Sequence, residues 1–244
     1  MVVSTLTVVL GAFLAALLRG FTGFGFAIAA VPVLSLVLPP TRVVPLTVVL
    51  QLLASMVDFR AASRITDWRS LMWLSPGMMV GTPLGLWLLT RLSANEARFT
   101  IGLLLIGSVA VLGRDLRLPE RPAKWVPGLV GVISGAINGA AGMSGPPVVA
   151  YLMALPHSTT VVRATSLVFF TFTAIVAIVP FTLAGLIDRY TLLLAVLTYP
   201  VLFVGTHLGA LAFRRTKPHH HRRIALTVLS GLAMVLIVRA LGLD

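Results

Sequence analysis

Apolar runs at 70–90, 99–112, 162–186, 190–213 and 224–241 constrain this chain more than any other feature. They approach or exceed the roughly 20 residues that carry an α-helix across a bilayer. Charge is scarce: 11% of the 244 residues are charged and mean hydropathy is +1.01, whereas a soluble domain carries about 25% charged residues. The sequence therefore predicts an all-α polytopic membrane protein. A transmembrane β-barrel would show alternating segments of about ten residues, and that pattern does not occur. The first apolar stretch lacks a basic leader and a distinct cleavage site, so it reads as a first membrane segment and not as a signal peptide. The chain has no cysteine, which excludes disulfides and thiolate metal sites.

The chain also repeats itself. "PGMMVGTPLG" at 76–85 matches "PVLFVGTHLG" at 200–209, with Pro76/Pro200, Val80/Val204, Gly81/Gly205, Thr82/Thr206, Leu84/Leu208 and Gly85/Gly209 identical at an offset of 124. The offset persists in Arg91/Arg215, Arg98/Arg222, Leu105/Leu229 and Gly107/Gly231. Upstream, "GFTGFG" faces "GAAGMSG" at 139–145, pairing Gly20 with Gly139 and Gly23 with Gly142 at an offset of 119. An N-terminal repeat at 1–113 and a C-terminal repeat at 126–244 thus flank a polar linker at 114–125 within one integral membrane domain. Duplication of this kind points toward secondary transport.

In each half the first apolar stretch is split, at about 4–18 and 24–38 and again at about 126–137 and 146–155. Each piece falls short of a full span. If each split stretch enters and returns as a hairpin, three transmembrane helices follow it. The segments 59–69, 114–124, 156–163 and 213–223 then share one side with thirteen Lys or Arg, against five on the other. Basic loops stay cytoplasmic. The 114–124 and 213–223 loops are therefore predicted cytoplasmic, both termini non-cytoplasmic, and the two structural repeats inverted. The same rule accounts for the net charge of +12 with no nucleic-acid partner.

Residues 19–25 read "RGFTGFG". Irregular backbone at membrane depth persists only where protein or water satisfies its polar groups. A helix restarting after such a break aims free N–H groups and a positive dipole end into the gap, which suits an anion. Arg19 adds a planar five-donor cation and Thr22 a hydroxyl, while Gly23 and Gly25 free the backbone. "INGAAGMSGPP" supplies Asn138, Gly142, Ser144 and Gly145 in the corresponding place. All seven acids (Asp58, Asp67, Glu96, Asp115, Glu120, Asp188 and Asp244) lie in loops or at span ends, so a carboxylate-lined cation pathway is not expected. The predicted site holds a small anionic substrate between the two breaks, with Gln51 and Thr165 as further lining. Rocking of one repeat against the other would alternate access.

His207 replaces Pro83 of the repeated motif and is a candidate for proton coupling, which adds protons to the anion and the lipid bilayer as expected partners. No cofactor and no metal site is expected. "PHHHRR" at 218–223 lies in the most basic loop, where nearby Lys and Arg repel a cation. No enzyme signature emerges either. Gly81, Gly85, Gly205 and Gly209 read as close helix packing, and Trp68, Trp73 and Trp125 as anchors at the membrane interface.

These residues carry a resemblance. The split first segment "GFTGFGFAIAAVPVL", its second copy "GVISGAINGAAGMSGPPVVAYLM" and the paired "GT-LG" motifs resemble the sulfite exporter TauE/SafE family of membrane permeases over nearly the whole chain. The resemblance implies a cell inner-membrane permease moving sulfur-containing anions such as sulfite, thiosulfate, sulfoacetate or other organosulfonates. Phe24-Gly25-Phe26 before Pro32, and Met143-Ser144-Gly145, depart from the usual pattern and bear on substrate choice. The alternatives are a transporter of another small organic anion such as a carboxylate, and a non-transporting membrane scaffold or assembly protein. A homodimer is the remaining partner expectation.

Overall fold

The computed structural model describes residues 2–22, 26–114, 117–120, 122–215 and 218–241. Among them are ten α-helices and no strand. The first half contributes α1 (Val2–Thr22), α2 (Phe26–Ser35), α3 (Pro40–Ala62), α4 (Trp68–Arg91) and α5 (Ala94–Gly113). The second contributes α6 (Trp125–Ala141), α7 (Gly145–Ala154), α8 (Thr159–Leu183), α9 (Arg189–Arg215) and α10 (Pro218–Ala240). Each half is thus a broken first segment followed by three long helices. The pieces of the broken segments are longer or shorter than the sequence suggests. α1 runs on through Arg19 to Thr22, α6 reaches Ala141, and α2 stops at Ser35. Arg19 and Asn138 accordingly sit inside helices and not in the breaks.

Local chemistry sets many of the helix ends. Asp67 caps α4 by accepting from the Arg69 and Ser70 N–H groups, and Ser93 with Glu96 forms a capping box on α5. Ser158 caps α8 by accepting from Val161 N–H. Prolines open α3 and α7, where a missing N–H costs nothing. Pro76, Pro83, Pro180 and Pro200 lie inside long helices, as membrane spans tolerate. Ala94–Gly113, Thr159–Leu183 and Arg189–Gly209 are long and apolar enough to cross a membrane on composition alone. Large apolar side chains such as Leu14, Met79, Val80, Leu103 and Val196 face outward over the bundle, as a lipid-facing surface requires.

The helices pack across the halves. α4 lies on α6 and α1 on α9; α5 touches α7 and α10 touches α2; α3 meets α8 and α5 meets α10. Exchanging α1–α5 for α6–α10 leaves this pattern unchanged. The α4–α6 contact is backbone to backbone. Gly77, Gly81 and Gly85 abut the Gly128, Val132 and Ala136 carbonyls, and Gly131, Gly135 and Gly139 abut those of Leu74, Met78 and Thr82. A Cβ at any of the six would overlap main-chain atoms. Gly205 repeats the theme on α9, against Phe13 and Ala16 of α1. Close packing is therefore the role of Gly81, Gly85 and Gly205, as expected of small residues between membrane helices.

Two contacts fix the direction of the central helices. At one end Asp67, just beyond α3, lies 3.0 Å from His157, just before α8. At the other, Arg42 in the first turn of α3 lies 3.2 Å from Asp188, just beyond α8. α3 and α8 therefore run antiparallel. The Asp67 end also gathers the linker, where Leu118 N–H donates to Ala154 O of α7 at 2.8 Å and Lys124 stands over Trp73. α6 begins there and α7 ends there, so the second split segment is a hairpin that returns to the end it entered from. α2 ends at the opposite end, where Arg98 Nε donates to Ser35 O at 2.8 Å. Trp68, Trp73 and Trp125 are exposed at the first end; Trp87 and Tyr190 lie at the other under Arg91 and Arg42. Aromatic side chains so placed suit the two interfaces of a bilayer.

Candidate functional site

The break between α6 and α7 is held by glycine in a conformation few other residues adopt. Gly142 has φ 65°, and its N–H donates to Asn138 O at 2.7 Å, closing α6. A Cβ there would meet Val31 and Val44 only at ordinary contact distance, so the backbone alone demands glycine. Gly142→Ala is expected to lower stability by about 1–2 kcal/mol, the usual cost of a left-handed side chain. Comparing its thermal midpoint with that of Gly128→Ala, where a Cβ meets open space, isolates the backbone effect.

A knot of polar side chains surrounds this break. Ser134 Oγ donates to Ser144 O at 2.6 Å, Ser144 Oγ and Thr173 Oγ1 are 3.1 Å apart, and Thr173 Oγ1 donates to Phe170 O at 3.0 Å. Asn138 Nδ2 donates to Thr173 O at 3.3 Å. All four residues are buried, so every polar atom must find a partner inside the protein. The sequence pointed to Asn138 and Ser144 but not to Ser134. Its signal was the four-residue spacing of Ser134 and Asn138, which puts both on one face of α6. Thr173, like Thr165, shows in the sequence only as a polar residue within a span; what separates the two is where α8 packs.

The first half answers with a cation. Arg19 is only 9% exposed, and its Nη2 donates to Ala54 O at 3.2 Å. The geometry repeats that of the second half: Arg19 and Asn138 are 119 positions apart, and so are their acceptors, Ala54 and Thr173. One carbonyl is fourteen residues into α3 and the other fourteen into α8, or about 21 Å along each antiparallel helix. Both stand in the middle third of their own helices. Gln51 belongs to this side, with Nε2 donating to Ser55 Oγ at 3.0 Å beside Ala54.

The start of α2 packs beside the second break. A Cβ added at Gly145 would stand 3.3 Å from Ile28 and Phe170, and Phe26, Ala27 and Ile28 share one apolar core with Ala141 and Met143. A cavity of about 530 Å³ lies behind, between the linker and α5, α6 and α7; it runs from Arg117 to Pro146 and Pro147, with walls that are apolar apart from Ser108, Arg117 and Tyr151.

Several expected site residues lie elsewhere or outside the described residues. Gly23 and Gly25 are outside them, and so is the side chain of Thr22. Thr165 is buried at the Asp67 end, where its hydroxyl accepts from Asp67 N–H at 2.9 Å, far along α8 from Thr173. His207 is exposed on α9; its Nδ1 lies 3.0 Å from Phe203 O and its ring stacks on Phe203. Backbone donors at the second break are also fewer than the sequence suggests. Gly142 N–H is engaged, and Pro146 and Pro147 have none. The hydroxyls of Ser144 and Thr173 and the amide of Asn138 lie nearby, engaged with one another and with α8.

Asp67 and His157 are a titratable pair that sequence reading passes over. Burial pushes the Asp67 carboxyl up, but bonds from the Ser70 hydroxyl, the Ser70 N–H and His157 outweigh this and hold it below its ordinary value. These bonds therefore stabilise the protein at neutral pH and are lost as pH falls through that depressed value.

Long apolar helices in two matching halves, with a polar cluster at one helix break and a buried cation in the other half, mark a multi-pass membrane protein of the transporter class. The chain belongs to the Sulfite exporter TauE/SafE family, whose pattern it matches over residues 8–236. It is 32% identical over 200 residues to "Probable inner membrane transporter protein TsaS" of Comamonas testosteroni, which covers 78% of this chain and 81% of that protein. It is 28% identical over 229 residues to "Probable sulfite/organosulfonate exporter TauE" of Cupriavidus necator, covering 91% and 89%. No solved structure matches it.

Proposed function

We propose that this chain is a secondary transporter that exports small sulfur-containing anions, sulfite or organosulfonates, across the cell inner membrane by alternating access. The observation that carries this reading is the paired arrangement of Arg19 and Asn138. Matched positions of the two halves point polar groups at matched carbonyls, one bringing a fixed positive charge and the other a cluster of neutral donors. An ionised side chain at this depth costs about 2.5–3.5 kcal/mol on insertion scales, so its retention argues for a task. A sulfite or sulfonate group presents three oxygens around sulfur. Arg19 would neutralise it while Asn138, Ser144 and Thr173 distinguish its oxygens, and Gly142 and Gly145 allow α7 close approach. The antiparallel course of α3 and α8, and hairpins ending at opposite ends of the bundle, support an inverted repeat. The names of the two relatives support the substrate class and the membrane.

Purified protein in proteoliposomes, loaded with radiolabelled sulfite and challenged with sulfoacetate, acetate and succinate, tests this. Saturable sulfite efflux, inhibited by sulfoacetate and not by the carboxylates, is expected. Efflux of carboxylates with sulfite excluded would replace the substrate class. No flux of any anion, together with no anion-dependent thermal shift, would leave a scaffold.

A further inference from the structure

The two cross-half pairs at the ends of α3 and α8 are counterparts of one another. Asp67 caps α4 and Asp188 caps α9, the latter by accepting from the Thr191 N–H and hydroxyl. Each acid then reaches a base carried just before, or in the first turn of, the third helix of the other half: His157 for Asp67 and Arg42 for Asp188. Each pair ties the halves together at its own end of the bundle. They differ in chemistry. Arg42 is charged at every accessible pH, and its pair is about half exposed, at 50% and 44%. His157 belongs to the one residue type whose ordinary titration falls between about pH 5 and 8, and its pair is more sheltered, at 22% and 19%.

We propose that the Asp67–His157 pair is a proton-binding site that couples proton occupancy to closure of the transport pathway at that end of the molecule. The proposal rests on the transporter reading above. With a proton bound, imidazolium and carboxylate attract between the α3–α4 turn and the α7–α8 turn; without it a hydrogen bond from neutral imidazole to the carboxylate remains and the two turns part more readily. Because proton binding and closure favour each other, opening releases the proton to the solution on that side. The surroundings are set to respond. Asp67 N–H is fixed by Thr165 of α8, and its carboxylate is held by Ser70 of α4. The charged groups on the elements that meet here are Arg60, Arg64 and Arg69 around Asp67, Arg163 on α8, and Arg114, Arg117, Glu120 and Lys124 on the linker. Histidine is the one residue type among them that exchanges a proton near neutrality in its ordinary state.

The natural chain has no cysteine, which makes labelling direct. Spin labels at Ile65→Cys and Thr160→Cys, both exposed positions on the two turns, report their separation without any substrate. The label distance in purified protein is expected to lengthen as pH rises from about 5 to 8. His157→Gln, which keeps a donor, and Asp67→Asn, which keeps an N-cap, are each expected to abolish that response. Proteoliposome sulfite efflux should change about fivefold or more over the same range and less than about twofold in either variant. A distance response that survives His157→Gln, or one that is lost in His207→Gln instead, overturns the proposal. Intact pH-dependent distances with no sulfite flux refute the substrate reading and leave the proton site standing.

Discussion

Arg19→Gln is expected to weaken sulfite binding by about 10- to 100-fold, because a charge-assisted hydrogen bond is worth roughly 1.5–3 kcal/mol. Thermal stability should not fall with it. Glutamine removes an ion from the bundle interior and still offers an amide N–H to the Ala54 carbonyl that Arg19 now holds. The two readouts together separate a binding residue from a structural one. A guanidinium kept only to satisfy α3 would give a variant with a lower melting midpoint and unchanged affinity by calorimetry, and that outcome would remove Arg19 from the site. Arg19→Lys is expected to fall between, since it keeps the charge and loses the planar fork.

The largest effect on folding is expected at the glycine seam. In Gly85→Val the new side chain meets the Ala136 carbonyl and the Ala140 N–H, and in Gly135→Val the Met78 carbonyl, all of them backbone. Backbone cannot rotate aside as a side chain does, so α4 and α6 must separate along their length. A cost above about 4 kcal/mol is expected, enough to leave little monodisperse protein on size-exclusion chromatography. Gly107→Ala is the control. Gly107 is a repeat partner of Gly231, yet a Cβ at either position meets open space. That substitution should be neutral or stabilising by about 0.5–1 kcal/mol. A Gly85→Val protein that purifies and melts like the parent would refute the packing role.

The helical class and the break between α6 and α7 were legible in the sequence because they are local properties: apolar length, and glycine and proline placement. The role of Gly81 and Gly85 was legible for the same reason, since small residues four apart suffice to mark a helix seam. What escaped depends on which helices meet. The partner of Arg19 is a main-chain carbonyl on α3, which carries no sequence signature. Thr173 matters because α8 packs beside the second break, and the Asp67–His157 pair joins residues 90 positions apart. Thr165 drew attention as a polar residue in a span, but its hydroxyl serves the Asp67 turn. Helix ends at the breaks differ from the expected 18 and 137: α1 continues through Gly20 to Thr22 and α6 through Gly139 to Ala141, although glycine is a weak helix former.

Main chains that interlock at six glycines behave as a single strut. That strut welds α4 to α6 across the linker, and its counterpart sets α1 on α9. In the alternating-access reading proposed above, the pieces that shift when one mouth shuts and the other opens are therefore not the two matching stretches of sequence. Each would be a composite drawn from both, with the flexing seam cutting through the interior of each repeat.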